Sequence, residues 1–181
     1  MRNLKFLLLL PVFLLPLLLY SFPAQDVQPL IGDGYTGKVK EVIDKAKDSI
    51  TVVMFHMRYY PEHPASPSNQ LINSLINAKK RGVKVKVILD LSEEERGRYN
   101  NLKTGKFLSE NGIDVRYDTL TKTTHSKLVI VDKRYVIIGS HNWTYYGLTQ
   151  NNETSVFIDS SPLAEELLKW VRKEFRWKSG R

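Results

Sequence analysis

The chain has 181 residues, 42% hydrophobic and 10% aromatic, enough apolar material for one ordinary domain and too much for a disordered main body. Twenty-seven Lys and Arg against 19 Asp and Glu leave a net charge of +8, which suits a polyanionic partner such as nucleic acid or anionic lipid and equally suits plain solubility. With no cysteine, disulfides, thiolate zinc sites and a thiol nucleophile are excluded.

At the N-terminus, Arg2 and Lys5 precede the uncharged run Phe6 to Phe22, which has the charged and apolar regions of a secretory signal. Pro11 and Pro16 would disturb a spanning helix, and Phe22 occupies a position where cleavage near Ala24 wants a small residue. A cleaved signal and a retained anchor therefore stand equally, and both put the protein in a secreted or periplasmic place or on a membrane through residues 6–22. Removing residues 1–24 deletes two cations and no acids, so the remainder keeps 25 − 19 = +6. Residues 25–34, with Pro29 and two glycines, are expected to be a linker, and 35–181 the folded domain.

Val39, Val42, Ile43 and Ala46 recur at helical spacing. The β-branched run Ser49 to Met57 reads as a strand buried on both faces, hence central, with His56 at its end. The proline-rich segment Arg58 to Ser68 must be a loop, and its Arg58, Tyr59, Tyr60 and His63 combine cationic and stacking groups that a nucleic-acid strand could use. Ser68 is the expected N-cap of a helix through about Lys80, with Leu71, Ile72, Leu75 and Ile76 as its buried stripe and Gly82 its stop. Val83 to Asp90 gives the next strand, making a parallel β-α-β crossover. Residues 91–98 are charged; Ser92 and Glu95 have capping-box spacing, but Gly97 argues against a long helix, and Glu93 to Glu95 read as a solvated run rather than a metal site. A helix around Lys103 to Leu108, a strand from Ile113 to Tyr117, a strand TSVFID after Glu153, and a final helix with Leu163, Leu167, Val171 and Phe175 complete the pattern.

Between them lies Thr124 to Glu153. Leu128 to Val131 and Tyr135 to Ile138 are two buried strands of a hairpin turned at Asp132, and His125 and Lys127, two apart, leave one face of an extended chain where both can meet one anion. An imidazole can attack phosphorus while ammonium, hydroxyl and amide donors neutralise the phosphate oxygens, so these residues suit phosphodiester cleavage.

The spacing His125-x-Lys127, Asp132, Gly139-Ser140-x-Asn142, continued by Thr144, Gly147, Asn152 and Glu153, resembles the HKD motif of the phospholipase D superfamily. With the upstream strand, helix and RGVKVKVILD, the likeness covers roughly residues 34–177 and is greatest to small single-motif nucleases and their membrane-anchored relatives. It implies an α/β fold with a mixed, mostly parallel sheet flanked by helices on both faces. It further implies that His125 is a nucleophile forming a phosphohistidine, that Lys127 and Asn142 hold the phosphate oxygens with help from Ser140, and that Glu153 orients a histidine, with no metal and no cofactor. Asp132, the acid of the motif, fits a structural role at the turn better than proton transfer. His56, Arg58 and Tyr59 are candidate substrate contacts.

One motif supplies half a site, because the covalent route needs a neutral histidine to attack and a protonated one to release the leaving oxygen. A homodimer with the two motifs facing across a two-fold axis is therefore expected; His141 and His56 are weaker rivals within one chain. Three functions follow: a non-specific endonuclease acting on DNA and perhaps RNA, a phospholipase acting on a lipid such as cardiolipin, and a silent nucleic-acid or membrane binder, against which the intact motif argues.

Overall fold

The computed structural model describes residues 21–91 and 95–176. The elements, in chain order, are β1 (Asp26–Ile31), α1 (Gly34–Asp44), β2 (Ser49–Met54), α2 (Pro67–Lys80), β3 (Lys84–Leu89), α3 (Glu95–Glu110), β4 (Asp114–Tyr117), β5 (Lys127–Val131), β6 (Tyr135–Gly139), α4 (Tyr145–Thr149), β7 (Thr154–Asp159) and α5 (Ser161–Glu174). The seven strands form one sheet in the order β1-β7-β6-β5-β2-β3-β4, with the apolar β2 near its middle.

The sheet is mixed and carries helices on both faces, as expected, but it is not mostly parallel. Only β2 with β3 and β3 with β4 run parallel, each joined through a crossover helix; the other four ladders are antiparallel. The tight turn at Asp132 can only reverse the chain, and the hairpin it makes pairs antiparallel with β2 on one side and β7 on the other.

Period-two alternation sorts the strands between two cores. Ile50, Val52, Met54, Val85, Val87, Leu89, Val129, Val131 and Ile137 face the layer of α1, α2, α3 and α4. Val53, Ile88, Leu128, Ile130 and Val136 face α5, whose Ala164, Leu163, Leu167, Val171 and Phe175 cover them. Each of the larger of these side chains, once out of water, contributes about 1.5–3 kcal/mol.

Three further expectations are corrected. Residues 26–31 are not linker but the edge strand β1, paired antiparallel with β7; Pro29 is tolerated because an edge strand leaves one row of its backbone groups unpaired. The N-cap of α2 is Ser66, which accepts from the Asn69 N–H at 3.3 Å ahead of Pro67 in the first turn, while Ser68 is fully buried and donates to the carbonyls of Arg58 (2.6 Å) and Trp143 (2.7 Å). Gly97 does not stop α3, which already runs from Glu95, whereas Ser92, Glu93 and Glu94 lie outside the described residues.

The run Phe6 to Phe22 lies outside the described residues except at its last two positions. Among the described residues no helix is long and apolar enough to cross a membrane.

Candidate active site

The chemistry collects at the end of the sheet where β2 and β3 finish and β5 begins. Lys127 pairs with Met54, and the Phe55 N–H donates to the Ser126 carbonyl at 2.9 Å, so the segment carrying His125 is laid alongside the end of β2. His125 is exposed, its ring tilted against Phe55 with centroids 4.4 Å apart. Lys127 is buried to 6% exposure; its Nζ donates to the His125 carbonyl at 2.8 Å and lies 4.6 Å from the centre of the same Phe55 ring. His56 stacks on Phe55 as well, at 4.0 Å and 20°. One aromatic ring thus carries both motif residues and His56, and a phenylalanine ending a buried strand gave no sequence signal for that role.

Asn142 joins them through an extension of β2. Its Oδ1 accepts from the His56 N–H at 3.2 Å, the Trp143 N–H donates to the His56 carbonyl at 2.9 Å, and the Arg58 N–H returns to the Trp143 carbonyl at 2.9 Å. Asn101, buried on α3, fixes the same stretch: its Nδ2 donates to the carbonyls of Phe55 (2.7 Å) and Asp90 (2.9 Å), and its Oδ1 accepts from Met57 N–H (2.9 Å). No motif marks Asn101, because its three partners come from elsewhere in the chain.

Ser140 is exposed, but its hydroxyl is engaged with Thr154, accepting from the N–H at 3.0 Å and donating to the carbonyl at 3.2 Å. Gly139 before it must lack a side chain: a Cβ there would come within 2.4 Å of both Ser155 Cα and the Thr154 carbonyl oxygen. Among the described residues, the Glu153 carboxylate accepts from Asn151 Nδ2 at 3.1 Å rather than from His125. The histidine its charge acts on is His141, which is 1% exposed, stacked on Tyr35 at 4.1 Å and bonded through Nδ1 to the Ser155 hydroxyl at 2.8 Å. Burial pushes the His141 imidazole below the usual histidine range, while the Gly32 carbonyl and Glu153 pull it back up. So enclosed, His141 cannot reach a leaving group.

Of the loop candidates, the Arg58 guanidinium lies 4.6 Å over the Tyr60 ring, whose hydroxyl accepts from the Tyr145 N–H at 3.0 Å. Tyr59 turns away, one face stacked on Phe107 at 3.9 Å and its N–H bonded to Thr104.

Asp132 is not at this site. Seven residues of extended chain, about 23 Å, separate it from His125. Its carboxylate accepts the N–H groups of Lys47 (2.9 Å), Asp48 (2.8 Å) and Ser49 (2.9 Å), and its own N–H donates to the Ser49 carbonyl at 2.8 Å. Its φ of +51° is one that aspartate tolerates better than most residues. Placing it among the catalytic residues is corrected: it locks the hairpin turn to the chain that leads into β2.

A mixed sheet presenting an exposed histidine, a buried lysine two residues on and an amide from the turn after β6 is the arrangement of a phospholipase D-like site. The family profile described as "cardiolipin synthase, PLD-like domain" matches residues 39–177, and the chain belongs to this phospholipase D-like family. It is 35% identical over 143 residues to a protein named phospholipase D of Rickettsia typhi, covering 78% of this chain and 63% of that one. The human protein named mitochondrial cardiolipin hydrolase is 35% identical over 111 residues, 61% of this chain and 41% of that one. The crystal structure of Nuc from Salmonella typhimurium, a phospholipase D family member, superimposes with a TM-score of 0.69 at 28% identity over 85% of this chain and 100% of that one. The chain spans 63% of the length of the Rickettsia typhi relative.

Proposed function

We propose that the chain is a phosphodiesterase, a metal-independent endonuclease of low sequence specificity that acts on DNA or RNA through a phosphohistidine at a site completed by a second copy. The observation that carries it is an exposed His125 imidazole and a buried Lys127 ammonium set against one Phe55 ring, the ammonium bonded to the His125 backbone carbonyl. The imidazole attacks phosphorus; the P–N bond forms as the P–O bond breaks, and the leaving oxygen takes its proton from a second, protonated histidine. Water then cleaves the P–N bond and gives that histidine a proton back. Lys127 and the Asn142 amide, whose oxygen is already committed to the His56 N–H, are the donors for the phosphate oxygens. With His141 enclosed, the second histidine is either His56, stacked on the same Phe55 ring, or the partner subunit's copy of the nucleophile in an isologous pair, and we propose the latter. The basic balance and the Arg58–Tyr60 pair favour a nucleic-acid substrate, without any element suited to reading bases.

The second reading is a phospholipase acting on a lipid such as cardiolipin, favoured by the names of the Rickettsia and human relatives. For residues 6–22 we propose an export signal or a membrane anchor. The purified protein is incubated with labelled DNA, RNA and cardiolipin, with and without EDTA, and quenched in alkaline denaturant to trap the phosphohistidine. Nucleic-acid cleavage that survives EDTA and vanishes with His125→Ala is expected. Lipid turnover alone would select the second reading, and loss of all activity on chelation would sink the metal-free route. Mixed dimers of wild type and His125→Ala that retain full turnover per wild-type subunit would sink the shared site.

A further inference from the structure

Asp90 and Asp118 follow the last residues of the parallel neighbours β3 and β4, at the end of the sheet that carries His125. Asp90 is fully buried and its Oδ1 accepts the Thr124 N–H at 2.7 Å, one residue before the nucleophile. Asp118 Oδ1 accepts the Leu91 N–H at 2.7 Å, and its own N–H donates to the Leu89 carbonyl at 3.2 Å. Residues 119–123, between Asp118 and Thr124, are all exposed, so the Thr124 bond is a partly buried fastening just ahead of His125, as the Phe55–Ser126 bond is just after it.

The second oxygen of Asp118, Oδ2, is buried and receives no hydrogen bond. The Asp118 carboxyl is within hydrogen-bonding reach of the carboxyl of Asp90. Two ionised carboxylates side by side repel, and neither can donate to the other; one proton between them removes a charge and supplies the missing donor together. We propose that Asp118 carries a proton on its buried Oδ2, donated towards Asp90, and that the pair, through Thr124, positions His125 for attack. Both acids are positioning residues, and their effect on catalysis rests on the reading of His125 as nucleophile.

The electrostatics point the same way. Burial raises the Asp118 carboxyl above the usual range and the neighbouring Asp90 raises it further, against the lowering pull of Thr124 and of the Leu91 N–H. Of the nearby charged groups, Lys122 is paired with Glu174 on α5, and Arg98 on α3 donates through Nε to the Leu91 carbonyl at 2.8 Å. A carboxyl held protonated in the fold contributes stability at acid pH that is lost as pH rises from about 4 through its folded value.

The test is infrared spectroscopy of the full chain at about pH 6, where ordinary aspartates are ionised. A protonated-carboxyl band is expected in the wild type and absent in Asp118→Asn, whose amide N–H replaces that proton. In the same two proteins, Thr124 amide exchange should stay slow, whereas Asp118→Ala should speed it tenfold or more and lower phosphohistidine formation in proportion. Asp118→Asn should restore most of that loss and flatten the acid-to-neutral decline of the melting temperature. No band in the wild type, a band that persists in Asp118→Asn, or Thr124 exchange as fast in Asp118→Asn as in Asp118→Ala would each overturn the proposal. The band and the amide exchange are read without turnover, so failure of the proposed activity does not disturb them; if Asp118→Ala does not fold, the comparison of wild type with Asp118→Asn still decides.

Discussion

Replacing Asp132 by alanine separates scaffold from chemistry. The change removes an acceptor for three backbone N–H groups, those of Lys47 and Asp48 near solvent and that of Ser49 partly buried. A bond to a carboxylate contributes about 1.5–3 kcal/mol when sheltered and well under that when water competes, so the three together come to about 3 kcal/mol. Alanine also tolerates the φ of +51° less well than aspartate. For a chain of this size each kcal/mol moves the melting temperature by about 2–4 °C, giving a fall of about 6–12 °C. Catalysis should hardly respond: with His125 about 23 Å away along the strand, kcat/KM measured well below the transition should stay within about twofold. Asp132→Asn keeps one acceptor oxygen and the tolerance of positive φ, so its melting temperature should fall between the two. Thermal melts by circular dichroism and steady-state kinetics on the same preparations decide the matter. A loss of activity of about a hundredfold or more, with the melting temperature nearly unmoved, would return Asp132 to the chemistry.

Lys127→Met keeps an unbranched side chain in the buried site but loses the cation over Phe55 and its bond to the His125 carbonyl, so kcat should fall by about 10²–10³ while the melting temperature falls by only a few degrees, as stopped assays and calorimetry would show. In Gly139→Ala the new methyl meets backbone rather than a movable side chain; β6 and β7 must part there, costing about 2–3 kcal/mol in denaturant unfolding and displacing Ser140. His141, with its folded pKa depressed by burial, takes up protons more readily once unfolded; its stability contribution is complete above about pH 6.5 and is lost as pH falls. His141→Gln should accordingly reduce the slope of melting temperature against pH in the acid range, and an unchanged slope would count against a buried, neutral imidazole.

What the sequence disclosed was what short spacing controls. The hairpin turned at Asp132 and the β-α-β crossover are each local, and each stands as read. What it hid is long-range. The pairing of β1 with β7 joins residues more than a hundred positions apart, and the Pro and Gly around that strand give the signal of a linker. Ser66 and Ser68 compete for one helix start, and only burial beneath the Arg58 and Trp143 carbonyls tells them apart. Asn101, Phe55 and the Asp90–Asp118 pair support the motif from outside it, through contacts that no periodicity encodes. Glu153 falls between: the spacing singled it out, yet its hydrogen bond among the described residues goes to Asn151.

The path by which the chain enters the sheet sets an orientation. Ser160 Oγ donates to the Pro23 carbonyl at 2.6 Å and the Gln25 N–H to the Asp159 carbonyl at 2.8 Å, and Asp159 sits opposite Tyr135, next to the hairpin turn. Pro23 and Gln25 are therefore fastened to the rear of the molecule, one strand length, about 20 Å, behind the histidine. Were residues 6–22 the membrane anchor proposed above, the chain would be held by its far end, with His125 turned out towards solution and away from the headgroups beneath the attachment.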